Sequence, residues 1–333
     1  MSLPVSPAGP PTRAFVTGAT GQDGSYLCER LLAEGVEVHA LHHAPSSPSL
    51  AGQDWADQVI WHDGDLLDAA AVTALIGEVE AGEIYHLAGA SSVAASWADP
   101  VGTSALTGQG ALTVFEAAWW VQERTGAPVR VVQASSAEIF GTPAQSPQTE
   151  TTLIRPVSPY GAAKAFAHHL AAVYRGRGLA VAATILYNHE SPRRPTSFVT
   201  RKITSTVAAI ARGEASELVL GNLDARRDWG WAPDYVDAMV RANRAADADD
   251  YVIATGVAHT VADFVEAAFA AADIVEWQHL VRTDPAFVRP VDPATQVGDA
   301  THARTALGWS PTVSFPDVVA AMVAADLDGA PTR

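Results

Sequence analysis

Short apolar runs alternate with longer amphipathic segments through the first half of the chain. The apolar runs predict strands at residues 13–17, 35–41, 59–62, 83–87, 130–133 and 181–186. Between them, apolar residues that recur every three or four positions predict helices at residues 25–34, 68–79, 110–124 and 161–174. Strands that alternate with helices predict an α/β fold, a Rossmann-type doubly wound parallel sheet with helices on both faces.

The alternation ends after Asn188. A helix at 198–212, a strand at 218–220 and a polar stretch at 221–231 follow, then a strand at 251–254 and a helix at 261–272 that Thr260 caps. This change predicts a smaller C-terminal mixed α/β substrate lobe. We assign residues 13–188, with a returning segment at about 230–258, to the dinucleotide-binding Rossmann domain, residues 189–229 and 259–330 to the substrate lobe, and residues 1–12 to a loose N-terminal tail.

The chain has 333 residues, a formal net charge of −16 and one cysteine, Cys28. The negative charge argues against a nucleic-acid partner, because phosphates require a basic surface. No apolar run approaches the roughly 18 residues of a membrane helix, and residues 1–13 lack the apolar core of a secretory signal. Cys28 lies on the first predicted helix, where we expect it to be buried, and a chain that forms no internal disulfide fits a reducing cytoplasm.

A glycine-rich turn, Thr17-Gly-Ala-Thr-Gly-Gln-Asp-Gly24, follows the first predicted strand and opens the first helix. Gly18 allows a tight turn, Gly21 lets the backbone approach a pyrophosphate, and Gly24 allows the helix to pack closely on the strand. The partial positive charge of the helix N-terminus then faces the phosphates. The turn therefore predicts a dinucleotide site, the alternative being a purely structural turn.

The end of the second predicted strand bears on which dinucleotide is bound. NAD-binding proteins place an acidic residue there for the ribose hydroxyls, whereas an arginine nearby accommodates the 2′-phosphate of NADP. This chain has His42-His43 instead. Histidine can hydrogen-bond a phosphate and gains positive charge near its pKa. We therefore predict NADP, with NAD as the alternative and two exposed loop histidines as the purely structural interpretation.

Two short sequences carry the candidate chemistry, Ser135-Ser-Ala-Glu-Ile-Phe-Gly141 and Tyr160-Gly-Ala-Ala-Lys164. Tyr160 and Lys164 are four residues apart on a predicted helix and share a face. The lysine charge is therefore expected to lower the pKa of the phenol. The phenolate can accept the proton of a sugar hydroxyl while a hydride leaves the same carbon, and Ser136 can orient that oxygen.

Glu138 distinguishes between reactions. A dehydrogenase or a 4-epimerase needs only the serine, the tyrosine and the lysine. A further carboxylate can remove the C5 proton that a C4 ketone acidifies, so that the C6 hydroxyl leaves as water and the hydride returns to C6. The residues leave open a 4-ketoreductase or epimerase, a capping role for Glu138, and a non-catalytic protein that binds a dinucleotide or sugar nucleotide. Four proton-handling groups in one chain favour catalysis over binding alone.

Longer strings point to one family. The chain contains Asn188-His-Glu-Ser-Pro-Arg-Arg194, Phe198-Val-Thr-Arg-Lys-Ile203, Leu220-Gly-Asn-Leu-Asp-Ala-Arg-Arg-Asp-Trp-Gly230, Tyr251-Val-Ile-Ala-Thr-Gly256 and Leu307-Gly-Trp309. Together with the glycine turn, these strings resemble the GDP-mannose 4,6-dehydratase family of the extended short-chain dehydrogenase/reductase superfamily, over nearly the whole chain. The resemblance implies conversion of GDP-mannose to GDP-4-keto-6-deoxymannose with NADP, which is regenerated in each cycle, and without a metal.

The resemblance also implies three sets of site residues. The catalytic set is Ser136, Glu138, Tyr160 and Lys164. The cofactor set is Gly18, Thr20, Gly21, Gln22, Asp23, Gly24, His42, Asp65, Leu66, Leu87, Ala88, Tyr160, Lys164 and Asn188. The substrate set is Ser91, Ser136, Glu138, Asn188, Val199, Lys202, Leu220, Gly221, Asn222, Arg227, Arg289 and Asp292. Cations gathered at Arg193-Arg194, Arg201-Lys202 and Arg226-Arg227 fit an anionic substrate, since arginine and lysine neutralise diphosphates.

Three departures from the family pattern bear on the mechanism. Ala137 replaces a small hydroxyl residue, so we expect Glu138 to deliver the C5 proton to the departing oxygen, directly or through water. His42-His43 replaces two arginines in a loop that bears on NADP binding and tetramer assembly. Asp292 replaces a glutamate and Val291 a small polar residue near the ribose of the nucleotide, which leaves base specificity open.

The predicted helices at 110–124 and 161–174 bear on assembly. In similar folds such helices pair across a dimer as a four-helix interface. The sequence therefore predicts a homodimer, with a homotetramer as the alternative. Trp119-Trp120 lies either at this interface or in the core.

Overall fold

A computed structural model describes residues 13–43, 53–287, 293 and 295–329 of the protein. The strands are β1 (Arg13–Thr17), β2 (Glu37–His42), β3 (Ile60–Asp63), β4 (Glu83–His86), β5 (Arg130–Ser136), β6 (Ala180–Leu186), β7 (Asn188–Glu190), β8 (Leu218–Leu220), β9 (Arg226–Trp231), β10 (Asp250–Ile253), β11 (Ala258–Thr260), β12 (Val281–Thr283) and β13 (Thr295–Gln296). The α-helices are α1 (Gln22–Ala33), α2 (Ala69–Val79), α3 (Val93–Ala98), α4 (Pro100–Ser104), α5 (Gly110–Thr125), α6 (Pro159–Gly176), α7 (Val199–Ala211), α8 (Ala232–Arg244), α9 (Val261–Ala271), α10 (Thr301–Leu307) and α11 (Phe315–Leu327). The predicted tail at residues 1–12 lies outside the described residues.

Seven parallel strands form the central sheet, in the order β10-β6-β5-β4-β1-β2-β3. The strand order reverses at β1, whose last residue, Thr17, lies between Leu41 of β2 and His86 of β4. The inner strands are buried on both faces because helices cover them; Phe15 and Val16, on opposite faces of β1, are both fully buried. The predicted Rossmann-type parallel sheet is confirmed.

Two apolar layers hold the helices on the sheet. On one face, α1 and α8 contribute Leu27 and Met239 to the core. On the other face, α2, α5 and α6 contribute Ile76, Phe115 and Ala171. Helix α1 begins three residues earlier than predicted, within the glycine-rich turn. Helix α8 was not predicted, although the proline in its first turn is a common signal of a helix start.

The C-terminal lobe, defined here as α7, α9, α11, β8, β9 and β11–β13, has its own core around Trp229, Phe264 and Met322. Its central strand β9 pairs with β7, β11 and β13. The sequence suggested only a polar stretch here. The buried Asp228 can lie in a strand because it accepts hydrogen bonds from the backbone amides of Thr255 and Gly256, both at 2.9 Å. The residue boundaries of the two domains remain a prediction.

Cys28 is fully buried on α1, as predicted. Burial raises the pKa of its thiol to about 12, so the residue packs as a small apolar side chain. Within the described part of the chain, every helix is too short or too polar to cross a lipid bilayer.

Candidate active site

A cleft opens between the carboxyl edge of the central sheet and the C-terminal lobe. It contains a cavity of about 310 Å³. Ser136 and Tyr160 line the cavity from the sheet side, and Val199 and Asn222 line it from the lobe. Open parallel sheets bind their ligands at this edge, beside the point where the strand order reverses.

The glycine turn lies at this reversal point, and its shape depends on absent side chains. Gly18 has a φ of +76°, and a Cβ there would stand 2.8 Å from the backbone nitrogen of Ala88. A Cβ on Gly24 would stand 2.1 Å from the carbonyl oxygen of Gly18. Gly21 is the N-cap of α1, and no side chain among the described residues caps the helix there. The first amides of α1 can therefore bind an anion.

Ser136, Tyr160 and Lys164 come together in the cavity wall. Ser136 ends β5 and hydrogen-bonds Tyr160, and its Oγ accepts a bond from the backbone amide of Glu138 at 3.3 Å. Tyr160 and Lys164 lie on successive turns of α6, which Ser158 caps by accepting a bond from the Gly161 amide at 3.0 Å. All three predicted residues are thus buried in the cavity wall, but Lys164 bonds the Ala134 carbonyl oxygen rather than Ser136 or Tyr160.

The predicted effect of Lys164 on the phenol is wrong. Burial raises the pKa of Tyr160 to about 12, against the opposing effects of the Ser136 hydrogen bond and the Arg194 charge. Burial also lowers the pKa of Lys164 to about 8. The lysine Nζ donates to the Ala134 carbonyl oxygen at 2.8 Å and lies 5.9 Å from the centroid of the Tyr160 ring. The phenol therefore holds its proton at neutral pH unless a ligand adds positive charge beside it.

Glu138 and Ala137 lie in different surroundings, although they are adjacent in the 3-10 turn that follows β5. Glu138 is half-buried and lines the cavity. Ala137 is buried in an apolar cluster with Ile139, Phe140 and Tyr187. A proton for a leaving group in the cavity therefore has to come from Glu138 or water rather than from residue 137.

Only part of the expected cationic set reaches the cavity. Arg194 and Arg227 line it, and Arg227 Nη1 donates to the carbonyl oxygen of Pro293 at 2.8 Å. Lys202 is not among the lining residues, because its Nζ lies 3.8 Å from the centroid of the Phe287 ring, which itself lines the cavity. The remaining cations bond protein groups elsewhere: Arg193 pairs with Glu29, Arg201 with the buried Asp326, and Arg226 donates to the carbonyl of Ala258.

The other predicted residues fall into three groups. The cavity is lined by Asp23, Leu87, Ser91, Ser136, Glu138, Tyr160, Lys164, Asn188, Val199, Leu220, Gly221, Asn222 and Arg227. The cofactor residues that do not line it are Gly18, Thr20, Gly21, Gln22 and Gly24 in the turn, Ala88 after β4, and His42, Asp65 and Leu66 near the ends of β2 and β3. Arg289, Val291 and Asp292 lie outside the described residues.

The ends of β2 and β3 hold a separate polar pair. His42 lies opposite Asp63 in the strand register, and its Nε2 is 2.7 Å from the Asp63 carboxylate. Asp65 and Leu66 were predicted to contact the cofactor. In the structure their side chains contact other parts of the protein. The Asp65 carboxylate accepts the Leu67 amide at 2.9 Å, and the Leu66 side chain is buried in the core.

A buried network that the sequence did not predict links the glycine turn to β7. His189 Nε2 lies 2.8 Å from the Asp23 carboxylate, and its Nδ1 lies 2.7 Å from the Tyr187 carbonyl oxygen. The side-chain amide of Gln22, a residue predicted to bind the cofactor, donates to Asp23 and to the His189 carbonyl oxygen. Although burial opposes both charges, the pair holds the pKa of Asp23 below its usual value and raises that of His189.

Asp23→Asn is expected to destabilise the protein more at about pH 6 than at about pH 9. His189, with its raised pKa, contributes stability below its unfolded pKa of about 6.5 and loses it as the pH rises through the folded pKa. Asp23, with its lowered pKa, contributes above about 3.8 and loses stability only in acid. Removing one member of a buried pair costs about 3 kcal/mol where both are charged.

Urea unfolding of the wild type and of Asp23→Asn at the two pH values tests this prediction. Asp224→Asn is the control, because Asp224 is exposed. Equal losses at both pH values for Asp23→Asn would contradict a charged His189–Asp23 pair.

The fold and the cleft together define an extended short-chain dehydrogenase/reductase, a Rossmann-fold protein with its serine, tyrosine and lysine at the carboxyl edge of the sheet. A family model described as GDP-mannose 4,6 dehydratase matches residues 15–322. The chain belongs to the GDP-mannose 4,6-dehydratase family.

Individual relatives agree with this assignment. GDP-mannose 4,6 dehydratase 2 of Arabidopsis thaliana is 41% identical over 95% of this chain and 87% of that protein. A GDP-mannose 4,6-dehydratase of Sordaria araneosa is 39% identical over 96% of this chain, which spans only 61% of that longer protein.

Solved structures share the fold. UDP-glucose 4-epimerase of Thermotoga maritima superposes with a TM-score of 0.83 at 23% identity, covering 94% of this chain and 97% of that one. A dTDP-glucose 4,6-dehydratase of Streptomyces venezuelae, solved with NAD, gives 0.81 at 26% identity, covering 94% of this chain and 96% of that one. Dehydratases and epimerases thus share this architecture, so the difference between their reactions must come from residues in the cleft.

Proposed function

We propose that the protein is a nucleotide-sugar hydro-lyase that removes water from GDP-mannose, giving GDP-4-keto-6-deoxymannose, with NADP as cofactor. The observation that carries this proposal is that Glu138 faces the same cavity as Ser136 and Tyr160. A carboxylate beside a hydroxyl–phenol pair supplies the second proton transfer that an elimination needs and a simple ketoreductase does not.

The residues present fit a nicotinamide dinucleotide. The uncapped first turn of α1 and the close approach of Gly18 to Ala88 make a cradle for a pyrophosphate. Leu87, Tyr160 and Lys164 line the cavity beyond it. When bound, the nicotinamide would take a hydride from C4 of the sugar and return it to C6, so that no net oxidation occurs.

The chain's own residues handle the protons. Ser136 hydrogen-bonds Tyr160, and both line the cavity, where they can hold the C4 oxygen of the sugar. Because burial keeps the phenol protonated, Tyr160 would accept the C4 proton when the positively charged nicotinamide ring is bound beside it and favours the phenolate. Glu138 removes the proton from C5, which the adjacent C4 carbonyl has made acidic. The same carboxylic acid then protonates the C6 oxygen as the C6–O bond breaks and water leaves. When the hydride returns to C6, C5 regains a proton from water through Glu138, and Tyr160 releases to solvent the proton that it took from the C4 hydroxyl. Because residue 137 is an alanine and has no proton to donate, Glu138 performs both transfers, directly or through water.

The opposite end of the cavity suits the nucleotide diphosphate. Arg227 is buried and lines the wall together with Leu220 and Asn222. Arg194 lies on the sheet side of the cleft, where its guanidinium carbon is 3.8 Å from the centroid of the Phe198 ring. Arg194 is also paired with Glu190 at 3.4 Å, so Arg227 is the cation at this end that a diphosphate would neutralise.

Mass spectrometry of GDP-mannose, incubated with the protein and NADP, tests the proposal. The expected product has lost one water. Unchanged GDP-mannose with NADP bound would overturn the assigned substrate. Parallel incubations with other sugar nucleotides, and with a 4-keto sugar nucleotide and NADPH, would then detect a different substrate or a 4-ketoreductase.

We further propose a homodimer through α5 and α6, in the cytoplasm. Phe166 and Val173 on α6 are 48% and 57% exposed, which supports an apolar contact surface, and Leu112 on α5 is partly exposed as well. Trp119 lies under the Arg177 guanidinium, and Trp120 packs against the Gly77 position of α2. The mass in solution measured by light scattering tests this assembly, because a monomer at micromolar concentration would exclude it.

A further inference from the structure

A row of buried polar side chains crosses the sheet on the face that α6 covers. Thr17 of β1 lies opposite His86 of β4, which lies opposite Gln133 of β5. Each of the three is at most 1% exposed. The row passes beneath Lys164, since the Lys164 Nζ and the Gln133 amide both donate to the carbonyl oxygen of Ala134, at 2.8 and 3.0 Å. How this row holds Lys164 is an inference that rests on the proposed function, in which Lys164 lines the cofactor site.

His86 is a neutral histidine whose hydrogen bond indicates which ring nitrogen carries the proton. The Thr17 hydroxyl oxygen lies 2.8 Å from His86 Nδ1 and accepts the backbone amide of Ala88 at 3.2 Å. The hydroxyl can therefore donate its own proton to Nδ1, which places the imidazole proton on Nε2. Burial and the nearby charge of Lys164 lower the pKa of His86 to about 3, so the ring is neutral at physiological pH.

Two atoms of this row lack a hydrogen-bond partner among the residues that the structure describes. They are His86 Nε2, a donor in this tautomer, and Gln133 Oε1, an acceptor, and both are shielded from solvent. The Ser135 hydroxyl, two residues further along β5, is also without a described partner, and Ser135 lines the catalytic cavity. Buried polar atoms in folded proteins bond either protein or ordered water. These atoms therefore point to bound water between the sheet and Lys164.

One water molecule fits the donors and acceptors at this position. It can accept from His86 Nε2–H and from the Lys164 ammonium, and it can donate to Gln133 Oε1, which gives about the three bonds typical of a buried water. The ammonium has three N–H groups, of which one donates to Ala134 and a second would reach the water. The third is then left for a ligand in the cavity, which Lys164 lines.

The charge of Lys164 depends on all the groups around it. The charged and titratable groups that face it are Tyr160 on α6 itself, Asp23 on α1, His86 on β4, and Glu138 and Arg194 in the same cavity wall. Glu116 of α5 bonds groups at the far end of α6, and the other segments that pack on α6, namely α3, α4 and residues 105–109, contain no acidic or basic side chain. Burial lowers the pKa of Lys164 to about 8, so an added acceptor beneath the ammonium changes its charge near neutral pH.

We propose that His86 and Gln133 are positioning residues that hold Lys164 through one buried water molecule, so that the ammonium stays charged and presents its free N–H group to the dinucleotide. Neither side chain lines the cavity, so both act from beneath the lysine rather than on the ligand. Thr17 completes the arrangement because its hydroxyl fixes the tautomer of the histidine. Residues at the ends of β1, β4 and β5 thus set the charge and position of a side chain on α6.

A crystal structure of the purified protein tests the water directly. We expect an ordered water at about 3 Å from His86 Nε2, Gln133 Oε1 and Lys164 Nζ. Density without this water, or a protein group bonded to His86 Nε2 in its place, would overturn the proposal. The result does not depend on the substrate or on turnover, so it separates this inference from the proposed function.

The pKa of Lys164 in solution tests the positioning role. The chain contains two lysines, Lys164 and Lys202, so NMR of protein labelled at the lysine Cε gives two signals, which Lys202→Arg assigns. In His86→Leu the ammonium loses the water, so we expect the pKa of Lys164 to fall by about one unit and NADP binding above neutral pH to weaken about fivefold. His86→Gln should restore both values, because its amide nitrogen can replace the imidazole Nε2–H.

Two further variants provide a second test and a control. Gln133→Leu removes the acceptor and should give the same fall in the pKa of Lys164, which keeps the proposal testable if His86→Leu does not fold. Asn243→Leu is the matched control, because Asn243 is similarly buried and its Oδ1 has no described partner, but it lies on α8 at the opposite face of the sheet. A pKa of Lys164 unchanged in Gln133→Leu and in folded His86→Leu would overturn the proposal. The expected fall in a protein that binds no NADP would support the water and overturn the proposed function.

Discussion

Glu138→Gln is expected to stop the release of water while oxidation at C4 continues. Glutamine keeps the size and hydrogen bonding of the side chain but cannot accept the C5 proton or protonate the leaving oxygen. Loss of a positioned acid–base group costs about 10²–10⁴-fold in rate. Because residue 137 is an alanine, it has no hydroxyl that could replace the lost group.

A single-turnover experiment with GDP-mannose and NADP separates the two steps. The variant should accumulate about one equivalent of reduced cofactor per site, seen by absorbance, without a product lighter by one water. Exchange of the C5 hydrogen with heavy water should also be lost. Glu116→Gln serves as the control, since Glu116 on α5 bonds Tyr174 and Arg177 and is not a cavity residue. Water release at the wild-type rate would remove Glu138 from the elimination.

Tyr160→Phe should abolish both steps together. The phenol is the group that exchanges a proton with the C4 hydroxyl, so without it no reduced cofactor forms and the C5 proton is never acidified. We expect a fall in turnover of about 10³-fold, within the range for general acid–base groups. Binding of GDP-mannose should be nearly unchanged, because the nucleotide contacts that we propose involve Arg227, Leu220 and Asn222 rather than Tyr160.

Rapid-mixing absorbance and calorimetry of GDP-mannose binding test this prediction side by side. Tyr174→Phe is the matched control, because Tyr174 lies on the same helix α6 and bonds Glu116 away from the cavity. If Tyr160→Phe still formed reduced cofactor at the wild-type rate, another group would have to accept the C4 proton. Glu138→Gln should retain the oxidation at C4, which Tyr160→Phe loses, so the two variants assign the oxidation and the elimination to different residues.

The strands of the sheet could be predicted because each is an apolar run buried on both faces, as in Ala14–Val16 of β1. The placement of Tyr160 and Lys164 on the same face of a helix could be predicted from their spacing of four residues. By contrast, the pKa of Tyr160 could not be predicted from its neighbour four residues away. It depends on burial and on Ser136, which comes from a different strand.

Pairings between distant parts of the chain were likewise invisible in the sequence. His189 lies 166 residues from Asp23, and only the packing of β7 against α1 brings them together. His42 and Asp63 meet because β2 and β3 pair in one particular register. A local sequence pattern indicates which chemistry a side chain can perform. Which distant side chain it contacts depends on the strand order and the register of the sheet.

The network of Gln22, Asp23, His189 and Ser191 limits how this enzyme family can be recombined. Ser191 donates to the Gln22 side chain at 2.9 Å, and His189 bonds Asp23 at 2.8 Å, so that α1 and β7 are matched to each other. A chimera that takes its C-terminal half from a relative with other residues at 189 or 191 would leave polar groups of α1 buried without partners. Crossover points placed after Ser191, rather than at the end of β6, should therefore give the larger share of folded hybrids.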